Sequence, residues 1–275
     1  MNELLYGLVA LLATVVGAIC GVGGGIVIKP ALDAIGGLSA SAISFLSGCT
    51  VLAMAAVSVL RRGVGSKVGK PAQGVAARGA GIRFWLPAGA VVGGLLGKAA
   101  FEGLRAAVAS DNAVFATQAG LLFVVLVVSL WYAFVGERLK GRSLRHPLAC
   151  AAVGAGLGVL SSFLGIGGGP INLAVLGYFF AMDTKEAAGT SLYVILFAQF
   201  SSFVQTLLTH TVPAVDGVAL LAMMAAAVTG GLIGSAIGRR IDAAAVNRLF
   251  IAFTASVLLL DGANLVTFLL RAAGA

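Results

Sequence analysis

Long apolar stretches separated by short polar or basic ones run the length of the chain, near residues 3–28, 42–60, 84–101, 114–135, 148–180, 187–208, 214–237 and 249–270. Each is long enough for a hydrocarbon core that takes about 20 helical residues to cross. The pattern predicts an all-α polytopic membrane protein with eight apolar segments. The first stretch is unlike a secretory signal: Asn2 and Glu3 stand where a positive region would, and the apolar run leads into glycines rather than a cleavage site. Two stretches are interrupted, the first by Gly-Val-Gly-Gly-Gly (Gly21 to Gly25) and the fifth by Gly-Ile-Gly-Gly-Gly (Gly165 to Gly169). Glycine is the poorest helix former short of proline. Each run therefore frees backbone N–H and C=O groups at a depth where lipid offers no partner.

The second half of the chain repeats the first. Gly93-Gly94-Leu95-Leu96-Gly97 is answered by Gly230-Gly231-Leu232-Ile233-Gly234, each in the third segment of its half. The expected organisation is an N-terminal membrane repeat over 1–136, a basic cytoplasmic linker over 137–147 and a C-terminal membrane repeat over 148–275, two pseudo-symmetric units of four apolar segments each. Small residues four apart let helix backbones approach closely, so Gly93, Gly97, Gly230, Gly234 and Gly238 are expected at helix–helix contacts.

Loop charge bears on how the halves are oriented. One loop carries Arg61, Arg62, Lys67, Lys70, Arg78 and Arg83, and the linker carries Arg138, Lys140, Arg142 and Arg145. If segments 1 and 5 re-enter as hairpins at their glycines, the halves are inverted and Arg239, Arg240 and Arg248 join these loops on the cytoplasmic side, as the positive-inside rule favours. The fifth stretch, about 33 residues from Leu148 to Phe180, is long enough for two arms. Inverted halves with glycine-broken or re-entrant segments 1 and 5 are expected; full crossing of both segments is the alternative.

Composition narrows the function classes. Hydrophobic residues make up 60% of the chain and charged ones 10%, against about 25% charged in a soluble domain. The net charge of +8 sits in loops without interleaved aromatics, which marks topology rather than a nucleic-acid partner. Cys20, Cys49 and Cys150 are odd in number and lie in or beside apolar segments, and are expected as free buried thiols with no metal or other cofactor to hold. No Walker-type phosphate loop is present, so energy must come from an ion gradient or the substrate's own. His146 and His210 lie in or beside loops, and no cluster of carboxylates, thiols or imidazoles has ligand spacing. An intramembrane enzyme is thus the weaker alternative to a transporter, with a passive anion channel the nearer one.

Freed N–H groups at the start of a half-helix carry partial positive charge and suit a small anion, which places a substrate site between the two glycine runs at the bilayer midplane. The substrate-binding candidates are the backbones of Gly21, Gly23, Gly24, Gly25, Gly165, Gly167, Gly168 and Gly169 and the side chains of Ser44, Ser47, Asn172, Thr190, Ser191 and Gln199. Thr50, Ser161 and Ser162 are further polar groups near the runs. Against a ligand role, hydroxyls in apolar helices often bond their own backbone. Asp261, twelve residues into the last segment with Asn264 one turn further on the same face, is the proton-coupling candidate or else a structural hydrogen-bonder. Lys98 and Glu102 read as an interfacial i,i+4 pair, and His210 as solvent-exposed.

Several of these elements carry a family resemblance: Gly-Val-Gly-Gly-Gly-Ile-Val-Ile-Lys-Pro-Ala-Leu (Gly21 to Leu32), Gly-Ile-Gly-Gly-Gly-Pro (Gly165 to Pro170), Lys-Glu-Ala-Ala-Gly-Thr-Ser-Leu (Lys185 to Leu192), and the Gly-Gly-x-x-Gly elements, the second followed by Gly238, Arg239 and Arg240. Together they make the chain resemble, over nearly its whole length, the sulfite exporter TauE/SafE family of bacterial membrane transporters. The resemblance implies a multi-pass protein of the bacterial cytoplasmic membrane, surrounded by lipid, that moves a small anion such as sulfite or a sulfonate with coupling to a proton gradient. The chain departs from the family pattern at two places. Ala42-Ile43-Ser44-Phe45 stands where the second half has Ala188-Gly189-Thr190-Ser191, and Lys29 occupies a position more commonly apolar.

Overall fold

A computed structural model describes residues 2–64, 84–108, 110–136, 141–144 and 146–272. Among these residues the chain is all-helical: α1 (Asn2–Cys20), α2 (Gly25–Ile35), α3 (Ala40–Val64), α4 (Leu86–Ala107), α5 (Asp111–Val135), α6 (Pro147–Leu164), α7 (Ile171–Phe180), α8 (Thr184–Leu208), α9 (Gly217–Arg240) and α10 (Ala243–Ala272). Six of them, α3, α5, α6, α8, α9 and α10, are long and apolar enough to cross a membrane, while α1 and α7 are shorter apolar helices. α4, which carries Lys98, Glu102 and Arg105, is not among the six. The basic residues Lys67, Lys70, Arg78, Arg83, Arg138, Lys140 and Arg145 lie outside the described residues.

Eight apolar segments become ten helices because each glycine run divides its segment into a long arm and a short one. Gly21, Gly23, Gly165, Gly167, Gly168 and Gly169 all have positive φ, a backbone region that only glycine enters without strain. At the first run the N–H of Val22 still reaches the carbonyl of Gly17 at 3.0 Å. The chain then folds back so that Gly24 lies against the Thr14 backbone and Gly17. The short arm α2 contains Pro30, which has no N–H to donate; the Pro30 carbonyl accepts from Asn264 Nδ2 of α10 at 2.8 Å. The helices after the turns start on aspartates: Asp183 accepts from the Glu186 N–H, Asp216 from Val218 and Asp242 from Ala245.

Close helix packing joins the two halves. α9 runs beside α1 in the same direction, with Gly230 against Leu11 and Thr14, Gly234 against Val15 and Ala18, and Gly238 against Ile19. α4 runs beside α6 in the same way, with Gly89, Gly93 and Gly97 against Ala151, Ala155 and Val159. At Gly89, Gly93, Gly97 and Gly234 a methyl group would overlap a neighbouring backbone carbonyl; Gly93, Gly97 and Gly234 are contact surfaces as expected from their spacing, and Gly89 is a further one. α3 and α8 cross with opposed directions: Gly48 faces Gln199, and Val51 and Ile195 meet at Gly167. α5 and α10 close the outside of the bundle, with Phe115 stacked on Phe268 at 5.0 Å.

One end of the bundle is basic. Arg239 Nη1 donates to the Arg61 carbonyl at 3.2 Å, Arg61 Nη1 to Leu232, and Lys185 Nζ to Ile241 at 2.9 Å. All three cysteines are free and buried, as expected. His210 is exposed in the turn between α8 and α9, also as expected.

The glycine contacts predict an ordered set of stabilities. Gly93→Val and Gly234→Val, which must push a neighbouring helix backbone aside, are expected to cost about 1–3 kcal/mol and to lower the melting temperature of the detergent-purified protein. Gly156→Ala, where nothing lies within 4 Å, is expected to leave it equal or higher.

Candidate functional site

The two glycine turns meet in the middle of the bundle. A Cβ at Gly23 would stand 3.2 Å from the Gly167 carbonyl oxygen, and one at Gly25 would stand 2.5 Å from that of Ile166. Val51 and Ile195, halfway along α3 and α8, pack on Gly167 from either side. Gly21 rests on the backbone of Ala188, and Gly165 rests on Ser44. Every glycine of both runs is buried. The turns therefore touch directly, backbone to backbone, and the open space lies beside them.

That space is a cavity of about 30 Å³ next to Gly165. Three expected site residues line it: Ser44, Gly165 and Gln199. Ser162, considered from the sequence as a further polar group, joins them, together with Ser202, Thr206 and Lys98, which were not counted as site residues. Lys98 does pair with Glu102, at 2.8 Å. It is buried rather than solvated because α4 is wedged between α6 and α8, and its ammonium lies 5.4 Å from the Phe101 ring.

Hydrogen bonding around the turns is uneven. The last four carbonyls of any helix have no partner within it, and at the end of α6 two glutamines supply one. Gln199 Nε2 donates to the Ser161 carbonyl at 3.3 Å, and Gln118 Nε2 of α5 donates to the Phe163 carbonyl at 2.7 Å. Asn172 Nδ2 donates to Ser191 Oγ at 2.9 Å. Of the buried polar atoms without a partner among the described residues, Ser44 Oγ, Ser47 Oγ, Ser161 Oγ, Thr190 Oγ1 and Asn172 Oδ1 lie on the segments around the turns, while others, such as Ser235 Oγ and Thr254 Oγ1, lie elsewhere in the bundle. Left dry, each would cost about 1–3 kcal/mol. Thr50, by contrast, bonds the Leu46 carbonyl of its own helix.

A second polar cluster sits on the other side of the end of α6. Lys29 of α2, only 2% exposed, donates to Gln118 Oε1 at 2.8 Å and faces the Phe115 ring at 6.0 Å. The carboxylates that act on its charge are Asp33, four residues on in α2, and Asp261 of α10, which is 1% exposed. Asn264 makes the structural hydrogen bond to Pro30. Gln118 and Asp33 escaped the sequence reading. The signals were a lone glutamine in an apolar stretch and an aspartate at i+4 from a lysine already singled out.

A larger cavity of about 490 Å³ opens between the ends of α5, α7, α8 and α10, and none of the expected site residues lines it. Among the described residues no group of three or more histidines, cysteines and carboxylates is placed to hold a metal ion.

No curated protein and no solved structure matches the chain. A family model does: the one described as Sulfite exporter TauE/SafE, over residues 6–260. The match spans both glycine turns and the polar cavity beside Gly165. The chain thus belongs to the sulfite exporter TauE/SafE family, and it is a multi-pass membrane transporter, not an enzyme.

Proposed function

We propose that this protein is a secondary transporter that carries sulfite or an organosulfonate across the bacterial cytoplasmic membrane, coupled to protons, through polar groups around two glycine turns at the midplane. The observation that carries the reading is the meeting of those turns halfway along α3 and α8, ringed by hydroxyls without partners. Beyond Ser44, Gly165 and Gln199, the remaining candidates contribute in two ways. Gly21, Gly23, Gly24, Gly25, Gly167, Gly168 and Gly169 form the facing turns. Ser47, Asn172, Thr190 and Ser191 supply further polar atoms in the shell around them.

The two halves are inverted repeats in this reading. Gly165 follows Gly21 by the same interval as Ala188 follows Ser44, and the contact of Gly21 with Ala188 is matched by that of Gly165 with Ser44. The helices that correspond across this interval, α3 and α8, run in opposite directions, as inversion requires. The same interval pairs Ser47 with Ser191 and Leu46 with Thr190. The register is thus two residues from the sequence comparison, which set Ser44-Phe45 against Thr190-Ser191. Gathering Arg61, Lys185 and Arg239 at one end supports a cytoplasmic placement of that end.

A departure from pseudo-symmetry in the side chains favours anion binding on one side. Where the Gly165 side has Ser44, Ser162 and Gln199, the Gly21 side has Ala188, Ala18 and Ala55, all buried. Near the polar side the charge of Lys98 is offset by Glu102 at 2.8 Å, and the backbone N–H groups after the Gly165 turn add partial positive charge. In this reading the helices around Gly165 part during alternating access, which lets the oxyanion enter and leave the cavity.

Two outcomes test the reading. In proteoliposomes, radiolabelled sulfite is expected to move only with the protein present and to accumulate when a pH gradient is imposed; equilibration without accumulation would assign a passive channel instead. Gln199→Leu is expected to cut that flux about tenfold or more, since a hydrogen bond to a charged group is worth about 1.5–3 kcal/mol, while Ser129→Ala, whose hydroxyl bonds only its own helix, leaves it unchanged. For topology, Lys185→Cys should react with an impermeant maleimide from the cytoplasmic side and His210→Cys from the outside, with the three buried native thiols silent.

A further inference from the structure

The cluster around Lys29 joins three charges with two carboxylates against one ammonium. Fully ionised, it would leave one negative charge buried without compensation, an arrangement that a low-dielectric interior disfavours strongly. One bound proton makes it neutral. Asp261 Oδ2 and Asp33 Oδ1 are buried and have no hydrogen-bond partner among the described residues, so each carboxylate has an oxygen free to take that proton. Asp261 is the deep member. Asp33 is only half-buried and lies three residues before Gly36, where α2 gives way to the loop of Gly36 and Gly37. The pair thus runs from near the edge of the bundle to its interior.

The surroundings contain little else that competes. Asp33 lies one helical turn from Lys29 in α2, and Asp261 lies one turn before Asn264, whose amide is bonded to the Pro30 carbonyl next to Lys29. α5 faces the ammonium with the Gln118 amide and the Phe115 ring. α1 brings the Tyr6 phenol into the same buried cluster as Ile28 and Leu32. α3 carries no amine, guanidinium or carboxylate before Arg61.

The cluster is also connected to the glycine turn. Lys29 Nζ donates to Gln118 Oε1, and Gln118 Nε2 donates to the Phe163 carbonyl, two residues before Gly165. Two residues earlier the Ser161 carbonyl is held by Gln199, which lines the cavity beside Gly165. The unpaired end of α6 is thus gripped by the charged cluster on one side and by the anion cavity on the other.

We propose that Lys29, Asp33 and Asp261 form a site that exchanges a single proton, and that Gln118 passes its state to the end of α6 and so to the anion cavity, a coupling that rests on the transport reading above. A proton taken from water onto a carboxylate brings the cluster to neutrality. When the proton leaves, the net charge is −1 and Lys29 is drawn toward the carboxylates and away from Gln118, which loosens the hold on the Phe163 carbonyl. Gln118 is a positioning residue here; Asp33 and Asp261 carry the proton.

The test compares the full-length wild type with Asp33→Asn, Asp261→Asn and Gln118→Met. Each Asn variant keeps one carboxylate for one ammonium and so stays neutral without a proton. In infrared difference spectra across a pH titration, the wild type and Gln118→Met should show a carboxylic-acid C=O band that disappears on deprotonation, and both Asn variants should lack it. In proteoliposomes, radiolabelled sulfite exchange without a pH gradient should persist in all four proteins. Accumulation driven by a pH gradient should fall to the gradient-free level in the three variants. Should either Asn variant fail to purify as a monodisperse species, the triple variant Lys29→Met, Asp33→Asn, Asp261→Asn, which leaves no charge in the cluster, takes its place in both measurements. A titrating band or pH-driven accumulation that survives in the Asn variants overturns the proton site, and driven accumulation that survives in Gln118→Met overturns the connection. A wild type that shows the band but exchanges no sulfite removes the transport reading while leaving the proton site in place.

Discussion

Backbone polar groups in a bilayer must find partners within the protein, and this chain breaks two of its apolar segments in mid-bundle. The rest of the architecture accommodates that constraint. The broken ends are pressed together, glycine against carbonyl, so that neither meets lipid. The carbonyls left over at the end of α6 are taken by amides from two other helices. Only positive-φ glycines can make such turns, and only the absence of side chains lets the turns approach to contact.

Bringing the breaks together dictates how the halves interlock. α9 of the second half lies along α1 of the first, and α4 of the first along α6 of the second, each through a stripe of small residues. Each long arm leading into a glycine turn is thus clamped by the opposite half. A displacement of one half relative to the other would move a turn with it, which is the mechanical basis the proposed alternating access needs. In the proposed inverted-repeat reading, a two-fold backbone scaffold carries asymmetric side chains: serines and a glutamine on one side of the turns stand opposite alanines on the other, which leaves the polar cavity one-sided.

The charged groups buried in the bundle are arranged with the same economy. Lys98 has Glu102 beside it, and Lys29 has Asp33, Asp261 and Gln118. Both ammoniums also face an aromatic ring. Neither lysine is left to bear its charge alone, in keeping with the cost of an unpaired ion in a low-dielectric interior.

Much of this was legible in the residues themselves. The apolar periods, the two glycine breaks, the small-residue stripes, the free thiols and the shared face of Asp261 and Asn264 all follow from local chemistry: hydropathy, φ preference, side-chain size and helical spacing. Which helices meet was not legible, because periodicity tells which residues share a face and not what that face touches. Gln118 and Phe163 are far apart in the chain, and so are Lys29 and Asp261; nothing local couples them. The burial of Lys98 was likewise settled only by packing, where backbone carbonyls of one helix decide how close the glycines of another can come.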